Sequence, residues 1–262
     1  MTDSGGYTED AFLGGQLRLR QPKSGHRAGH DAMLLAAATA ARPGDRVVEF
    51  GASVGAAGLA LAKRITEIKL VLVEIDAGLA ELARGNAAAN AISADVIVLD
   101  VTSEPGASAA AGLAPDSADV VLMNPPFNDS VRHRASPDKS RASAHVATAA
   151  TLESWIHASR RILKSGGVLS LIWRADGIAD VLAALDRGFG SLKILPVHGD
   201  PSMPANRVLI RATKGGKAPA EIHPGLMLNE ASTVPNNGFR RFWPGRGFCR
   251  WHTPDSRPGR SR

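Results

Sequence analysis

At 262 residues the chain is long enough for one full α/β domain plus an appendage, and two complete domains would be cramped. Hydrophobic residues make up 44% and aromatic residues only 5%, which excludes disorder of the whole chain and leaves aliphatic side chains to build the core. The 31 Lys and Arg exceed the 25 Asp and Glu for a formal charge of +6, a balance that suits a polyanionic partner such as nucleic acid.

The first ~25 residues are polar and glycine-rich, and the alternation Phe12-Leu13-Gly14-Gly15-Gln16-Leu17-Arg18-Leu19 reads as a hairpin or an edge strand. Ala32 to Ala38 reads as a helix with Asp31 as its N-cap and Pro43-Gly44 as its stop. Arg46 to Phe50 follows as a strand, Ala56 to Ala62 as a helix, and Leu70 to Glu74 as the next strand. A helix over Leu79 to Asn90 leads to the strands Val96 to Asp100 and Asp119 to Met123. Nearly continuous apolar strands alternating with helices predict a parallel sheet covered on both faces.

Asn128 to about His145 reads as a mobile polar loop, followed by a helix over Thr151 to Leu163 that Gly166-Gly167 stops. Val168 to Trp173 is a fifth strand and Ile178 to Leu185 a helix. Leu192 to Val197 and Arg207 to Ala212 are joined by a short connection, so they pair antiparallel and close a seven-stranded, mostly parallel sheet. Beyond about Gly215 periodicity is lost, and Pro, Gly and Arg dominate from Pro235, which reads as a disordered tail. Arg240, Arg241, Arg246, Arg250, Arg257, Arg260 and Arg262 gather there, leaving the fold proper closer to neutral. The expected division is an N-terminal segment 1–30, a domain 31–214 and a basic low-complexity tail 215–262.

The single cysteine, Cys249, excludes an intrachain disulfide and a cysteine zinc site, and agrees with a reducing compartment. The N-terminus has no basic region followed by an apolar core, and no apolar run approaches the roughly 18 residues of a membrane span. The expectation is a cytoplasmic protein with no membrane partner and no metal.

Two segments carry chemistry. Glu49-Phe50-Gly51-Ala52-Ser53-Val54-Gly55 joins a strand to a helix, where glycine permits close approach of a ligand, and Glu74 ends the next strand, where a carboxylate can accept ribose hydroxyls. The Gly-x-Ser-x-Gly spacing lacks the Gly-x-Gly-x-x-Gly register that seats a pyrophosphate. At the end of the fourth strand stands Asn124-Pro125-Pro126-Phe127. An amino nitrogen conjugated with a ring or carbonyl is a poor nucleophile, and acceptors such as the Asn124 side-chain carbonyl and the Pro125 backbone carbonyl would draw it toward tetrahedral geometry. The two prolines stiffen the loop, and Phe127 offers a flat surface on which a flipped-out base can stack.

The cofactor loop resembles motif I of class I S-adenosylmethionine-dependent methyltransferases, a Rossmann-like α/β fold with helices on both faces of a seven-stranded, mostly parallel sheet. That resemblance implies that the loop meets the methionine part of S-adenosylmethionine, that Glu74 holds its ribose and that Asp100 faces its adenine. Ser53 departs from the family, which usually has glycine there. Asp31 is either a helix cap or a partner of the cofactor ammonium.

Gln21-Pro22-Lys23-Ser24-Gly25-His26-Arg27, Asp31-Ala32-Met33-Leu34-Leu35-Ala36, the loop, Val73-Glu74-Ile75-Asp76 and Asn-Pro-Pro-Phe occur in one order. Over roughly Phe12 to Leu228, including the closing Arg207 to Lys214, this resembles the bacterial tRNA(Val) adenine-37 N6-methyltransferase family. The resemblance implies N6-methylation of an adenine in tRNA, with Arg132-His133-Arg134, Lys139 and Arg141 either touching RNA phosphates or forming plain solvated surface. Other readings are a protein glutamine N5-methyltransferase, a ribosomal RNA guanine N2- or DNA adenine methyltransferase, and a noncatalytic cofactor- or RNA-binding module.

Overall fold

The computed structural model describes residues 6–23, 27–126 and 139–228. Its strands are β1 (Tyr7–Phe12), β2 (Leu17–Pro22), β3 (Arg46–Phe50), β4 (Lys69–Glu74), β5 (Ala94–Val98), β6 (Ala118–Met123), β7 (Leu163–Arg174), β8 (Phe189–His198), β9 (Arg207–Lys214), β10 (Glu221–Ile222) and β11 (Leu226–Met227). Its α-helices are α1 (His30–Ala38), α2 (Ala56–Arg64), α3 (Ala77–Ala89), α4 (Pro105–Ala110), α5 (Lys139–Ile162) and α6 (Ile178–Leu185).

The main sheet runs β10-β8-β9-β7-β6-β3-β4-β5, with β11 also on β8. The seven expected strands are its body: β5, β4, β3, β6 and β7 run parallel, and β9 pairs antiparallel with both β7 and β8. The strand order reverses at β3, which lies between β4 and β6, and this is where open α/β sheets form a crevice at the carboxyl ends of the strands. Alternate residues of each strand feed two cores. Val47, Leu70, Leu72, Val120 and Leu122 pack with α1, α2 and α3, whereas Val48, Phe50, Val71, Val73, Val121 and Met123 pack with α5 and α6.

Several boundaries differ from the sequence reading. The segment read as a hairpin or an edge strand is a hairpin, with β1 and β2 paired from Tyr7↔Pro22 to Phe12↔Leu17. Strand β5 ends at Val98 and is only half-buried, because it forms an edge of the sheet. Helix α4 was not expected. Helix α5 begins at Lys139, inside the stretch read as a mobile loop, so Lys139 and Arg141 lie on a helix. Arg132, His133 and Arg134 fall outside the described residues.

Gly166 and Gly167 do not stop a helix, which has already ended at Ile162; they lie within β7. The β6–β7 register shifts between Ala118 and Val120, and Gly166 there has φ 77°, an angle that favours glycine. Of the expected tail, residues 215–228 return to the sheet and lay β10 and β11 along β8; residues 229–262 are outside the description.

The β1–β2 hairpin is not part of the main sheet. Asn86 of α3 and Asn90, which caps the C-terminus of that helix, hold it. Asn90 accepts from Arg18 N–H at 3.0 Å and donates to Arg18 C=O at 2.7 Å, and Asn86 does the same to Arg20 at 2.8 and 3.1 Å. Four residues of helix rise about 6 Å, close to the roughly 6.6 Å between alternate residues of a strand, so the two amides present a strand-like edge. Leu17 and Leu19, on the same side of β2, are fully buried in the core beneath.

Candidate active site

A cavity of about 970 Å³ opens at the carboxyl ends of β3, β4 and β6. Of the residues singled out in the sequence, Asp31, Gly51, Ser53, Glu74, Asp100, Asn124, Pro125 and Pro126 line it. Glu49 and Gly55 do not, and Phe127 lies outside the described residues.

The loop after β3 is shaped by left-handed backbone at Gly51 (φ 63°), Ser53 (φ 50°) and Gly55 (φ 85°). A Cβ on Gly51 would come within 2.5 Å of the Trp155 ring, so glycine there is demanded by contact as well as by angle. Trp155 comes from α5, lines the cavity, and meets Phe50 edge-on with ring centroids 6.4 Å apart. Gly55 is instead a packing residue: it precedes α2, and a Cβ there would press on Leu72 and Leu59.

Glu49 lies behind the loop and accepts the Gly58 N–H at 2.7 Å through Oε2. Burial pushes its pKa from 4.5 up to about 8, Glu74 adds to the rise, and the Gly58 and Ala57 amides pull against it. Glu74, 6% exposed, accepts Ser53 N–H at 2.7 Å and Asp76 N–H at 3.0 Å, one on each oxygen. A carboxylate has about four lone-pair sites, so two such bonds leave capacity for hydroxyl donors from the cavity. Asp100 Oδ1 takes the Thr102 N–H and hydroxyl at 2.8 and 2.7 Å, which fixes the turn after β5. The side chain of Ile75 is exposed between these two carboxylates in sequence and lines the cavity.

Asp31 is not the N-cap of α1. Gly29 holds that position with no side-chain cap, and Asp31 sits in the first turn, its Oδ2 accepting Arg207 Nε–H at 2.9 Å. Arg207 begins β9, 176 residues away in sequence, and lines the same cavity. Sequence reasoning missed Arg207 and Trp155 as site residues. Both arrive from elements distant in the chain, and no local motif marks them.

Asn124 leaves the end of β6 into the cavity, and its Oδ1 is buried with no hydrogen-bond partner among the described residues. The Ser53 hydroxyl is buried in the same state. Buried acceptors without partners are costly in a folded protein and point to a donor that arrives with a ligand. Among the described residues no three His, Cys, Asp or Glu side chains are grouped to hold a metal ion, and no helix is long and apolar enough to cross a membrane.

These features fit S-adenosylmethionine. The cavity is large enough, its β4 and β5 ends present carboxylates beside an apolar side chain, and its β3 loop has glycine where a Cβ would intrude. Comparison with known proteins agrees. Residues 27–198 match the family described as methyltransferase small domain. A tRNA1(Val) (adenine(37)-N6)-methyltransferase from Porphyromonas gingivalis is 29% identical over 205 residues, 76% of this chain and 79% of that protein. The crystal structure of a predicted O-methyltransferase from Agrobacterium tumefaciens aligns with TM-score 0.64 at 33% identity, over 80% of this chain and 96% of that one. The Thermus thermophilus 16S rRNA N2 G1207 methyltransferase, solved with AdoMet and guanosine, shares the fold at TM-score 0.53 and 19% identity, over 79% of this chain and 50% of that one. Family, fold and cavity agree: the chain belongs to the methyltransferase small domain family and is an S-adenosylmethionine-dependent methyltransferase of class I architecture.

Proposed function

We propose that this enzyme methylates an exocyclic amino nitrogen, the N6 of an adenine in tRNA, in the cytoplasm. The observation that carries this reading is Asn124 Oδ1, buried at the cavity and without a partner among the described residues. An amino group entering there gives one hydrogen to that oxygen and the other to the Pro125 carbonyl. Both bonds draw the nitrogen lone pair out of conjugation and aim it into the cavity. Pro125 and Pro126 offer no N–H that could compete for those acceptors. The stacking surface expected of Phe127 belongs to the same reading.

S-adenosylmethionine supplies a methyl group already activated on a sulfonium. The protein's part is therefore alignment, and effective molarity from such positioning is worth several orders of magnitude in rate. On this reading Glu74 accepts the ribose hydroxyls, Asp100 faces the adenine, the Gly51–Ser53 loop receives the methionine chain and Asp31 meets its ammonium. Glu49 acts behind the loop by holding the start of α2. The relative named as acting on adenine 37 of tRNA1(Val) supports the choice of acceptor.

Labelled methyl transfer to tRNA, followed by nucleoside analysis, tests the reading. N6-methyladenosine is expected at one position, with Asn124→Ala abolishing transfer while cofactor binding survives. Methyl label on guanine or on a release-factor glutamine, and none on adenine, would overturn it.

A further inference from the structure

Arg174 and Arg207 are direct partners in the antiparallel β7–β9 ladder. Their neighbours Trp173 and Val208 enter one core, and Ile172 and Leu209 the other, so by alternation both arginines project to the side of α1. Side chains opposite each other in such a pair have Cβ atoms about 5 Å apart, and like charges so placed destabilise a sheet. Here each guanidinium is steadied by its own carboxylate. Arg174 grips Asp176 with two bonds of 2.8 and 2.6 Å, and Arg207 donates to Asp31 at 2.9 Å.

Arg207 lines the active cavity, and Arg174 stands beside it on β7. Ala175 N–H donates to Asn206 C=O and Asn206 N–H to Val197 C=O, so the ends of β7, β9 and β8 are laced together beneath the pair. Arg207 lines the same cavity as Asn124, on the side of β6 away from Glu74 and Asp100, where the acceptor rather than the adenosine lies under the proposed function. Arg174 and Arg207 are about one-third exposed, enough for a ligand to reach them.

We infer that Arg174 and Arg207 form a phosphate clamp that receives the backbone of the RNA strand beside the nucleotide being methylated. The inference rests on the reading of the substrate as RNA. Two guanidinium groups already held in place, Arg174 by Asp176 and Arg207 by Asp31 and the Asn206 carbonyl, lose little side-chain entropy when a phosphodiester approaches, and their adjacent positive charges attract it. The contact carries no sequence information. It holds the strand in register while Asn124 and Pro125 engage the base.

The test uses the full chain, with Arg174→Gln and Arg207→Gln made singly and together, and methyl transfer to tRNA measured from 50 to 200 mM KCl. Each replacement is expected to raise the RNA KM severalfold at the lower salt and to flatten the plot of log KM against log salt by about 0.7, the contribution of one single-strand phosphate contact. For Arg174→Gln, dissociation of S-adenosylmethionine, followed by calorimetry, and kcat at saturating RNA are expected to stay within about twofold; Arg207→Gln also releases Asp31, so its salt slope is compared with that of Arg207→Lys. Arg→Lys replacements keep the charge and should keep the slope, which separates a phosphate contact from damage to the fold. An unchanged slope overturns the clamp, as does a loss confined to cofactor affinity. Failure of the unaltered chain to methylate any RNA overturns the substrate reading itself, and the clamp with it.

Discussion

The backbone N–H of Ser53 donates to Glu74 Oε2 at 2.7 Å, tying the tip of the loop after β3 to the end of β4. The other Glu74 oxygen takes the N–H of Asp76, which caps α3 by accepting from Leu79. One carboxylate thus sets the shape of two walls of the cavity. Glu74→Ala leaves two backbone donors without that partner at a nearly closed site. Urea unfolding is expected to show a loss of about 2–4 kcal/mol, and calorimetry a cofactor Kd raised tenfold or more.

Ser53 has φ 50°, in the left-handed region, and its hydroxyl is buried with no partner among the described residues. Ser53→Gly relieves both penalties, set against the extra backbone freedom that glycine gives the unfolded chain. The net expectation is a gain of about 1 kcal/mol, read as a rise in Tm of about 2–4 °C.

Glu49 makes the apoprotein's stability depend on pH. Its folded pKa, about 8, stands above the 4.5 of an exposed glutamate, because burial disfavours the charged form. Below pH 4.5 the carboxyl is protonated in both states and has no effect. As pH rises from 4.5 to about 8 the unfolded chain releases a proton that the folded chain keeps, so stability falls. The slope is about 1.4 kcal/mol per pH unit and the total on the order of 5 kcal/mol, levelling off above pH 8. Glu49→Gln keeps an acceptor for Gly58 and is expected to flatten this limb, as shown by denaturant midpoints from pH 5 to 8.5.

The amide grip on the hairpin is measurable residue by residue. Asn86→Ala strips Arg20 of both backbone partners on α3 and also removes a 3.0 Å bond to Val54 C=O, whereas Asn90→Ala affects Arg18. Each is expected to cost about 2–3 kcal/mol. Hydrogen exchange at Arg18 and Arg20 should accelerate far more than exchange in β3 or β4.

What the sequence made legible follows from where each signal resides. Val47-Val48, Leu70 to Val73 and Val120 to Met123 are apolar on both faces because both faces are covered, so periodicity alone found the sheet. The loop after β3, Glu74 and Asn124 were legible because a ligand beside a strand end needs those residue types within a few positions. Helix α4, Pro-Gly-Ala-Ser-Ala-Ala, has no apolar stripe to betray it; a buried Ser108 and the 2.9 Å bond from Arg161 hold it in place. Asp31 could be read as a cap because a carboxylate in a first turn serves capping and ion pairing equally well, and only the approach of Arg207 decides. Gly166-Gly167 looked like a helix stop because a register shift and a helix end ask the same freedom of the backbone.

The two short strands β10 and β11 decide what the outer side of β8 presents to its surroundings. Glu221 and Ile222 pair with Lys193 and Ile194, and Leu226 and Met227 with Val197 and His198. Without them the apolar run Ile194-Leu195-Pro196-Val197 would display unpaired N–H and C=O groups, a template onto which a second molecule could add a strand. A chain ending at Lys214 should therefore fold its cavity yet self-associate, visible as concentration-dependent light scattering that the full 262-residue chain does not show. The fourteen residues after the last long strand act as a guard against aggregation.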